Sequence, residues 1–345
     1  MQTAPVEIVE RFHGALMAGD GATAQACLAS DVRWNAAYPI DELTGPDEFR
    51  NNYWLPLQRA LPDIERRPFI RVAGSYDGKT MDGDGAAGEW VNATGYLVGT
   101  FVAALFGIPP TGRTLYLRFS ELIRVHEERI VEAYVLLDFW DAMVQAGVSP
   151  HRPSLGHAGL VLPPASLDGL HRPPGDSNVS AVSRALVIEM LAGLGRFDGK
   201  SLMSMDQERY WHSDFMWYGP GGIGTTRGLE GFRTHHQGPF LRAFPTRGVD
   251  RTKSLVADGH YVVAGGWPHM TAEHLGGDWL GLAPTGRRLT MRVMDFWRRE
   301  GALLKENWVS IDIFDILRQL GLDPFEQMRE LRSLALRPAA EGPIA

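Results

Sequence analysis

The chain contains a single cysteine, Cys27, among its 345 residues. One thiol cannot form an internal disulfide framework, nor a zinc site built from several cysteines. The surrounding stretch, ATAQACLAS, follows a helical pattern, so we interpret Cys27 as a buried and unreactive thiol. Such sparse use of cysteine is typical of a reducing compartment, and we predict a cytoplasmic protein.

Long apolar runs and an excess of basic charge are also missing. No apolar stretch approaches the roughly 20 residues that a membrane-spanning helix needs. The amino-terminal segment lacks the basic start and apolar core of a signal peptide. The net charge is −7, and the arginines are scattered along the chain. We therefore expect no nucleic-acid partner and no membrane partner.

Motifs that hold cofactors or metals are weak. Two stretches have the glycine spacing of a dinucleotide-binding loop, GDGAAG at 83–88 and GPGGIG at 219–224. Neither lies in the βαβ unit that such a loop requires, and we interpret the second as a flexible loop at a pocket mouth. The adjacent His235 and His236 point to different sides of a helix, and no two histidines have the spacing that chelates a metal. The sequence predicts no cofactor and no metal, and the lack of a Gly-x-Ser-x-Gly elbow argues against a serine nucleophile.

The sequence contains an internal repeat. GIPPTGRTLYLRF at 107–119 returns as GLAPTGRRLTMRV at 281–293, with a shift of 287 − 113 = 174 between the two arginines. Further upstream, FRNNYWLPLQRALP returns as FRTHHQGPFLRAFP, with a shift of 232 − 49 = 183. The difference, 183 − 174 = 9, fits a longer loop at 77–88 in the first copy. A duplication of this length predicts two similar domains.

Composition sets the predicted domain boundaries. We predict a first domain at 1–149 and a second at 177–335, separated by a linker at 150–176 that is rich in proline and glycine. Residues 336–345 are predicted to be a carboxy-terminal tail.

The order of elements within each copy predicts the fold class. Helical stretches come first, then a short strand around a tryptophan, another helix, four longer strand-like runs and a short final helix. This order is typical of an α+β domain and not of a doubly wound parallel sheet. A strongly bent antiparallel sheet packed on a long helix leaves one open mouth. The sequence therefore predicts two tandem cone-shaped α+β barrel domains, each enclosing a pocket.

An aspartate follows the last apolar strand of each copy, Asp138 in the first and Asp312 in the second. Each can cap the next helix, and Asp141 or Asp315 three residues later resembles a short capping box. Alternatively, each carboxylate faces a cavity whose apolar walls raise its pKa toward the range of a general base. The two interpretations are compatible, and the residues alone leave both open.

Counting back from the last turn identifies the residues across from Asp312. Residues near 290 lie opposite it, so Arg292, matched by Arg118, faces the carboxylate in one register and solvent in the other. Asp295, matched by Glu121, pairs near residue 307 or 308 in this count. That places it roughly 15 Å from Asp312, too far for a pair of catalytic carboxylates.

Further pocket candidates are aromatic or polar side chains in or near strands. Aromatic residues at strand spacing line either a packed core or a cavity, and a cavity of this kind suits a flat, apolar ligand. His274 precedes a glycine-rich turn, where it is either a pocket residue or a partly exposed strand end. The candidates are His274, Trp308, Trp217, Tyr218, Trp34 and Tyr134.

Two segments of the second copy resemble the SnoaL-like polyketide cyclase family of the nuclear-transport-factor-type superfamily. They are HLGGDWLGLAPTGRRLTMRVMDFWR at 274–298 and NWVSID at 307–312. The first copy is similar but looser, since YVLLD replaces WVSID and Thr100 stands at the position of His274. The resemblance implies an α+β cone and a cofactor-free intramolecular aldol ring closure by one pocket aspartate. That aspartate corresponds to Asp312, and more weakly to Asp138.

The predicted function is therefore a cofactor-free cyclase, lyase or isomerase acting through aspartate acid/base catalysis on a small apolar, polyketide-like or aromatic compound. One alternative is a small-molecule-binding protein without catalysis, in which Asp312 only caps a helix. Another is a dehydratase or hydrolase of the same superfamily. The two domains are expected to pack as a pseudo-dimer within one chain, and further oligomerisation stays open.

Overall fold

The computed structural model describes residues 3–79, 86–170, 175–249, 252–277 and 279–335. The predicted tail and residues 80–85 of the longer loop of the first copy lie outside these residues. Two sheets, each accompanied by helices from its own half of the chain, form two tandem α+β domains, as predicted. Within the described residues neither sheet closes on itself, so the predicted barrels are open sheets.

The first domain starts with helices and continues as a six-stranded sheet in the order β2-β1-β6-β5-β4-β3. Neighbouring strands are antiparallel except β1 and β6, which are parallel. Its elements are α1 (Pro5–Met17), α2 (Gly21–Ala26), β1 (Leu28–Ala36), β2 (Glu42–Thr44), α3 (Gly45–Glu48), a π-helical turn (Phe49–Trp54), α4 (Leu55–Ala60), β3 (Glu65–Tyr76), β4 (Gly88–Thr100), β5 (Thr114–His126), β6 (Arg129–Leu137) and α5 (Phe139–Gln145).

The second domain repeats this plan with the strand order β10-β11-β12-β13-β7-β8, and β9 pairs with β11. Its parallel pair, β7 and β13, corresponds to β1 and β6. Its elements are α6 (Ser177–Leu194), 3-10 turns (Leu202–Met205 and Gln207–Arg209), β7 (Trp211–Tyr218), β8 (Thr225–Arg227), α7 (Gly228–Phe232), a π-helical turn (Arg233–Gln237), α8 (Gly238–Ala243), β9 (Gly248–Val249), β10 (Ser254–Asp258), β11 (Tyr261–Glu273), β12 (Arg288–Glu300), β13 (Leu303–Ile311), α9 (Ile313–Gln319) and α10 (Pro324–Ala335).

Helix α1 covers one side of the first sheet. It begins at Pro5, whose missing N–H needs no partner at the first helical position. Ile8, Phe12 and Leu16 recur at helical spacing and are buried. The helix contacts β3, β4, β5 and β6 through this apolar face. The space between the helices and the sheet therefore forms the core of the domain.

The two sides of each sheet have different neighbours, because side chains alternate along a strand. Trp34 on β1 faces the helices, with its ring centroid 5.8 Å from Phe12 and 4.5 Å from Phe49. Ser120 on β5 faces the other domain, and its Oγ lies 2.8 Å from Oγ of Ser310 on β13. We call the helix-covered side of the first sheet the first interior and the helix-covered side of the second sheet the second interior. We call the contact between the two sheets the joint.

The predicted linker is an ordered strap along both domains. His157 pairs with Thr225 at the edge of the second sheet. Trp308 donates its indole N–H to the carbonyl of Leu162 at 2.8 Å. Near the end of the strap, the carbonyl of Gly169 accepts a hydrogen bond at the β3 edge of the first sheet. Proline and glycine predicted a connector, but these backbone contacts make residues 150–170 part of the joint.

Candidate functional site

Asp312 lies in the joint and is only 4% exposed. Its Oδ1 accepts the backbone N–H of Asp315 at 3.1 Å, which caps α9. Its Oδ2 accepts the backbone N–H of Tyr38 from the first domain at 3.0 Å and a hydrogen bond from Arg292 Nη1 at 3.1 Å. Burial raises the pKa of Asp312 to about 6, although Arg292 opposes this shift. Both oxygens therefore connect structural elements.

On the other side of the joint, Asp138 makes the same two contacts with backbone N–H groups. Its Oδ1 accepts the N–H of Asp141 at 3.0 Å, and its Oδ2 accepts the N–H of Gly221 from the second domain at 2.7 Å. Gly221 is the repeat partner of Tyr38, since 221 − 38 = 183. The capping interpretation agrees with this geometry at both aspartates, while their catalytic role stays a prediction.

The eight predicted pocket residues separate into two groups. Tyr218 stacks on Trp308 inside the joint, with ring centroids 5.3 Å apart. His274 instead packs on Phe244 in the second interior, with its ring centroid 5.3 Å away. The structure therefore does not gather the predicted set around one cavity. The joint holds Arg118, Arg292, Tyr134, Tyr218 and Trp308, and the interiors hold Trp34, Trp217 and His274.

The first interior contains a buried ionic cluster that the sequence did not predict. Glu121 on β5 forms an ion pair with Arg66 on β3, and His13 Nε2 on α1 lies 3.2 Å from Glu121 Oε1. Burial disfavours the charged carboxylate, but Arg66 and His13 outweigh it and lower the pKa of Glu121 to about 2. Glu121 is therefore held ionised at neutral pH.

Two neighbouring spaces lie beside this cluster. The inner one, about 350 Å³ with its open margin counted, is lined by His13, Glu121 and Tyr53. The outer cleft, about 630 Å³ with its open margin counted, lies between α1, α2 and the segment from α3 to α4. Leu16 and Trp54 line both spaces, so the two are adjacent.

The second interior contains a carboxylic acid with very different neighbours. Asp295 on β12 is half-buried and accepts a hydrogen bond from Asn307 Nδ2 at 3.2 Å. Asn307 lies beside Trp217 on β7, and Trp217 stacks on His236 with ring centroids 4.2 Å apart. No cationic side chain among the described residues forms an ion pair with Asp295. Burial raises the pKa of Asp295 to about 7, and the bond from Asn307 only partly opposes this.

An aromatic wall extends from this acid along the second interior. His236 contacts Phe240, Phe240 contacts Phe244, and Phe244 contacts both His274 and Trp279. Three ring nitrogens on this wall have no hydrogen-bond partner in the described part of the chain: His236 Nδ1, His274 Nε2 and Trp279 Nε1. Burial lowers the pKa of both histidines, so their rings are neutral near pH 7. The wall thus offers stacking surfaces together with unused polar atoms.

The sequence contained a signal for these interior residues. Glu121 and Asp295 are repeat partners, since 295 − 121 = 174, and Tyr53 and His236 are as well, since 236 − 53 = 183. Counting residues along the strands excluded Glu121 and Asp295 as catalytic partners of Asp312, because it considered only their distance from Asp312. It also placed Asp295 near residue 307 or 308, whereas Asp295 pairs with Val309. Following the two-residue alternation from Asp312 would have assigned Asp295 to the opposite side of the sheet.

The glycine-rich loop at 219–224 packs closely against the first domain and the strap, and its flexibility stays a prediction. A Cβ on Gly221 would lie 2.9 Å from the Cβ of Trp140 in the first domain. Gly224 has φ +83°, and a Cβ there would lie 2.7 Å from the carbonyl oxygen of His157 in the strap. These glycines allow the loop to approach the first domain closely. Of the other glycine-rich stretch, residues 83–85 lie outside the described residues.

Both halves of the chain match related family models. The model described as SnoaL-like polyketide cyclase matches residues 203–320, and the model described as SnoaL-like domain matches residues 9–133. The chain is a tandem SnoaL-like protein. Because the models cover the two sheets separately, each domain of this tandem SnoaL-like protein corresponds to one family unit.

Solved structures similar to this tandem SnoaL-like protein cover about one domain each. AclR from Streptomyces galilaeus is 26% identical, with 41% of this chain and 86% of that chain covered and a TM-score of 0.33. IdmH from Streptomyces antibioticus is 20% identical, with 42% and 99% covered and a TM-score of 0.34. An NTF2-like protein from Burkholderia thailandensis is 21% identical, with 42% and 98% covered and a TM-score of 0.31. Among curated protein sequences, none matches the chain.

Two wider properties of the tandem SnoaL-like protein concern metals and membranes. In the part of the chain that the structure describes, no group of three or more histidine, cysteine, aspartate or glutamate side chains is placed to hold a metal ion. None of the described helices combines the length and the apolar character needed to cross a membrane.

Proposed function

We propose that this tandem SnoaL-like protein is a cofactor-free acid/base catalyst of the cyclase type, and that its reaction takes place at Asp295 in the second interior. The family supports a cyclase-type function. One observation carries the assignment to Asp295: this acid faces an aromatic interior, has a single hydrogen bond from Asn307, and lacks a cationic partner in the described residues. The substrate is a small apolar compound, polyketide-like or aromatic, because the wall consists of stacked rings.

Ring closure needs a proton to leave an acidic carbon. The new carbanion attacks the carbon of a carbonyl group, and the oxygen of that group then needs a proton. Ionised Asp295 takes the first proton, the carbon–carbon bond forms, and the same carboxyl group returns the proton to the resulting alkoxide. Asn307 holds Oδ1, which leaves Oδ2 for the substrate. A pKa near 7 suits both steps, because the group then accepts and donates with similar ease at neutral pH.

The first domain has a different role in this proposal. Its corresponding acid, Glu121, is bound to Arg66 and has a pKa of about 2, so it is a poor acceptor of a proton at neutral pH. We propose that the two domains form an intrachain pseudo-dimer through the joint. The hydrogen bond between Ser120 and Ser310 supports this arrangement.

A second candidate function is ligand binding without turnover in the first interior. The observation that favours it is the pair of adjacent spaces in the first interior, the inner one lined by Glu121 and His13. A carboxylate held by Arg66 can orient a bound molecule without exchanging protons with it. The first interior is therefore proposed as a binding site, separate from the reaction at Asp295.

Asp295→Asn tests the proposed catalytic group, because it keeps the shape and removes the exchangeable proton. Molecules that co-purify with the chain are identified by mass spectrometry, and oxygenated aromatic esters with an acidic C–H are assayed for ring closure by absorbance. We expect kcat to fall by about 10²-fold or more, which is the usual contribution of a general base.

The matched control neutralises the repeat partner, as Glu121→Gln together with Arg66→Met. This double variant should keep kcat within about threefold of wild type, a difference of less than 1 kcal/mol in barrier height. Full turnover by Asp295→Asn would contradict the proposal. Loss of turnover only in Asp312→Asn would instead support the joint aspartate.

A further inference from the structure

The joint contains two equivalent corners, one around Asp138 and one around Asp312. In each corner a glutamine Nε2 donates to the aspartate three residues beyond the cap, from Gln145 to Asp141 and from Gln319 to Asp315, both at 2.8 Å. The capping aspartate also donates its backbone N–H to the carbonyl of an arginine, at 3.0 Å in the Asp138 corner and 3.1 Å in the Asp312 corner. The two corners are therefore the same framework built twice.

The charges of the Asp312 corner are paired by side chains of the chain itself. Arg292 Nη1 lies 2.9 Å from Asp41 Oδ1, and Arg318 Nη2 lies 2.6 Å from Asp315 Oδ1. The ring of Tyr38 lies below the guanidinium of Arg318, with the Cζ atom 5.2 Å from the ring centroid. Three side chains, of Asp41, Arg318 and Tyr38, thus complete this corner.

The Asp138 corner lacks all three of these side chains. Gly224 replaces Asp41, since 224 − 41 = 183, and Gly221 replaces Tyr38 by the same shift. Val144 replaces Arg318, since 318 − 144 = 174. The framework is therefore conserved within the chain, while its ionic partners are missing from one copy.

Two charged groups of the Asp138 corner consequently have no ionic partner within the described residues. Arg118 is 3% exposed and donates only to the carbonyls of Tyr218 and Gly219, at 3.2 and 2.8 Å, while its Nε has no acceptor. Asp141 accepts from its neighbours but forms no ion pair. Burial and the nearby charge of Asp138 raise the pKa of Asp141 to about 6. Asp138 and Asp141 stabilise the charge of Arg118 only from beyond ion-pair distance. A buried guanidinium without a direct ion pair is costly, which points to a missing partner.

A cleft lies where the missing side chains would be. Its empty space is about 410 Å³ with the open solvent at its entrance counted, and Arg118, Asp141, Val144, Gly221 and Gly224 all line it. The strap covers the cleft from the other side through Ser154, His157 and Val161. The cleft therefore lies between both domains and the strap, apart from both interiors.

We propose that the Asp138 corner binds a small zwitterion whose carboxylate pairs with Arg118 and whose guanidinium or ammonium group pairs with Asp141. The ligand thereby supplies the groups that Asp41 and Arg318 supply in the Asp312 corner. Asp138, Asp141 and Arg118 together carry a net charge of −1 when ionised, which a ligand of net charge +1 balances. A free amino acid with a cationic side chain has this combination of charges. This site does not depend on the proposed reaction at Asp295.

The test measures binding of L-arginine to the full chain by isothermal titration calorimetry, with agmatine as the probe that lacks the carboxylate. We expect L-arginine to bind with a Kd of about 1 mM or lower, and agmatine to bind at least about fivefold more weakly. Val144→Arg places a guanidinium next to Asp141, as Arg318 does next to Asp315. It should weaken the binding of L-arginine at least about tenfold. Val144 is 47% exposed, so the larger side chain fits without disturbing the core.

Val144→Met is the matched control, because it adds length without charge and should keep the Kd within about twofold. The proposal is overturned if L-arginine gives no binding heat at about 20 mM, well above the expected Kd. It is also overturned if Val144→Arg binds L-arginine as tightly as Val144→Met does. Equal affinity for agmatine and L-arginine would show that the carboxylate does not pair with Arg118, and would contradict the proposal of a zwitterionic ligand. Thermal unfolding of both variants checks that each is folded.

Discussion

The first and second interior place a carboxylic acid at the same position but give it opposite electrostatic surroundings. Glu121 is ionised and bound to Arg66, whereas Asp295 is half-buried with only an amide donor, Asn307. The pKa is lowered to about 2 in the first and raised to about 7 in the second. The two acids occupy the same position in the fold, so the side chains on neighbouring strands decide the pKa of the carboxyl group and whether it exchanges a proton at neutral pH.

The difference originates at two repeat positions. Arg66 pairs with Leu97, and Gly248 pairs with the repeat partner of Leu97, Thr271, since 271 − 97 = 174. Gly248 therefore stands at the position of Arg66, and the second interior has no cation there. The counterpart of Asn307 is Ala133, since 307 − 133 = 174, so the first interior lacks the amide. A duplicated fold can keep its core while these few polar side chains exchange, because each lies on the helix side of a strand.

The largest expected effect is the difference in the free energy of unfolding between variants of Glu121 and of Asp295. Glu121→Gln leaves the guanidinium of Arg66 buried without a carboxylate, and should lower the free energy of unfolding by about 3–5 kcal/mol. Asp295→Asn removes a carboxylate whose ionisation burial disfavours, so it should not lower the free energy of unfolding at pH 7 and is expected to raise it. Urea unfolding of both variants measures the difference.

The control for this comparison is Glu121→Gln combined with Arg66→Met, which removes both charges. It should recover most of the loss, because a buried ion pair can often be replaced by neutral side chains at little cost. Equal destabilisation by Glu121→Gln and Asp295→Asn would contradict the contrast between the interiors.

A smaller effect distinguishes the two corners of the joint. Asp138→Ala removes a helix cap and a bond to Gly221, and should cost about 2 kcal/mol. Asp312→Ala removes the same two contacts and also a charge-assisted bond from Arg292, and should cost about 3 kcal/mol. Chemical denaturation with both domains present measures the two values. If the losses were equal, the bond between Arg292 and Asp312 would contribute nothing to stability.

The pH dependence of stability has opposite signs in the two interiors. The pKa of Asp295 rises on folding from 3.8 to about 7, so its stabilising contribution is present below pH 3.8 and is lost as the pH rises toward 7. The pKa of Glu121 falls from 4.5 to about 2, so its contribution is present above pH 4.5 and is lost as the pH falls toward 2. Because the pKa values of Asp141 and Asp312 are also raised to about 6, the difference in thermal unfolding between Asp295→Asn and wild type from pH 5 to 8 is what isolates Asp295.

In that range the Tm of Asp295→Asn should gain a few degrees relative to wild type as the pH rises, because the variant has no charge to bury. Glu121 stays ionised over the whole interval and serves as the internal control. A difference in Tm between variant and wild type that is independent of pH would show that the carboxyl group does not titrate there.

The sequence predicted the parts that depend on local pattern. The repeat predicted two tandem α+β domains, and the strand–aspartate–helix pattern predicted the caps at Asp138 and Asp312. The interiors were missed because they depend on which side of each strand the helices cover. Arg66 and Glu121 come from different strands, and a register shift between Arg298 and Arg299 moves the pairing of β12 with β13. Such long-range register is not encoded in a short window of sequence.

The smallest expected effect tests whether the joint is a specific contact between the domains. Ser310→Ala removes the hydrogen bond to Ser120 across the two sheets and should cost about 1 kcal/mol, the usual net value for one buried hydrogen bond. Ser120→Ala should cost somewhat more, because Ser120 Oγ also lies 2.9 Å from Thr94 Oγ1. In a double-mutant cycle the two changes should couple by roughly 0.5–1 kcal/mol. Purely additive losses would mean that the two serines do not interact, and the joint would then depend on its other contacts, such as the one between Tyr134 and Trp267.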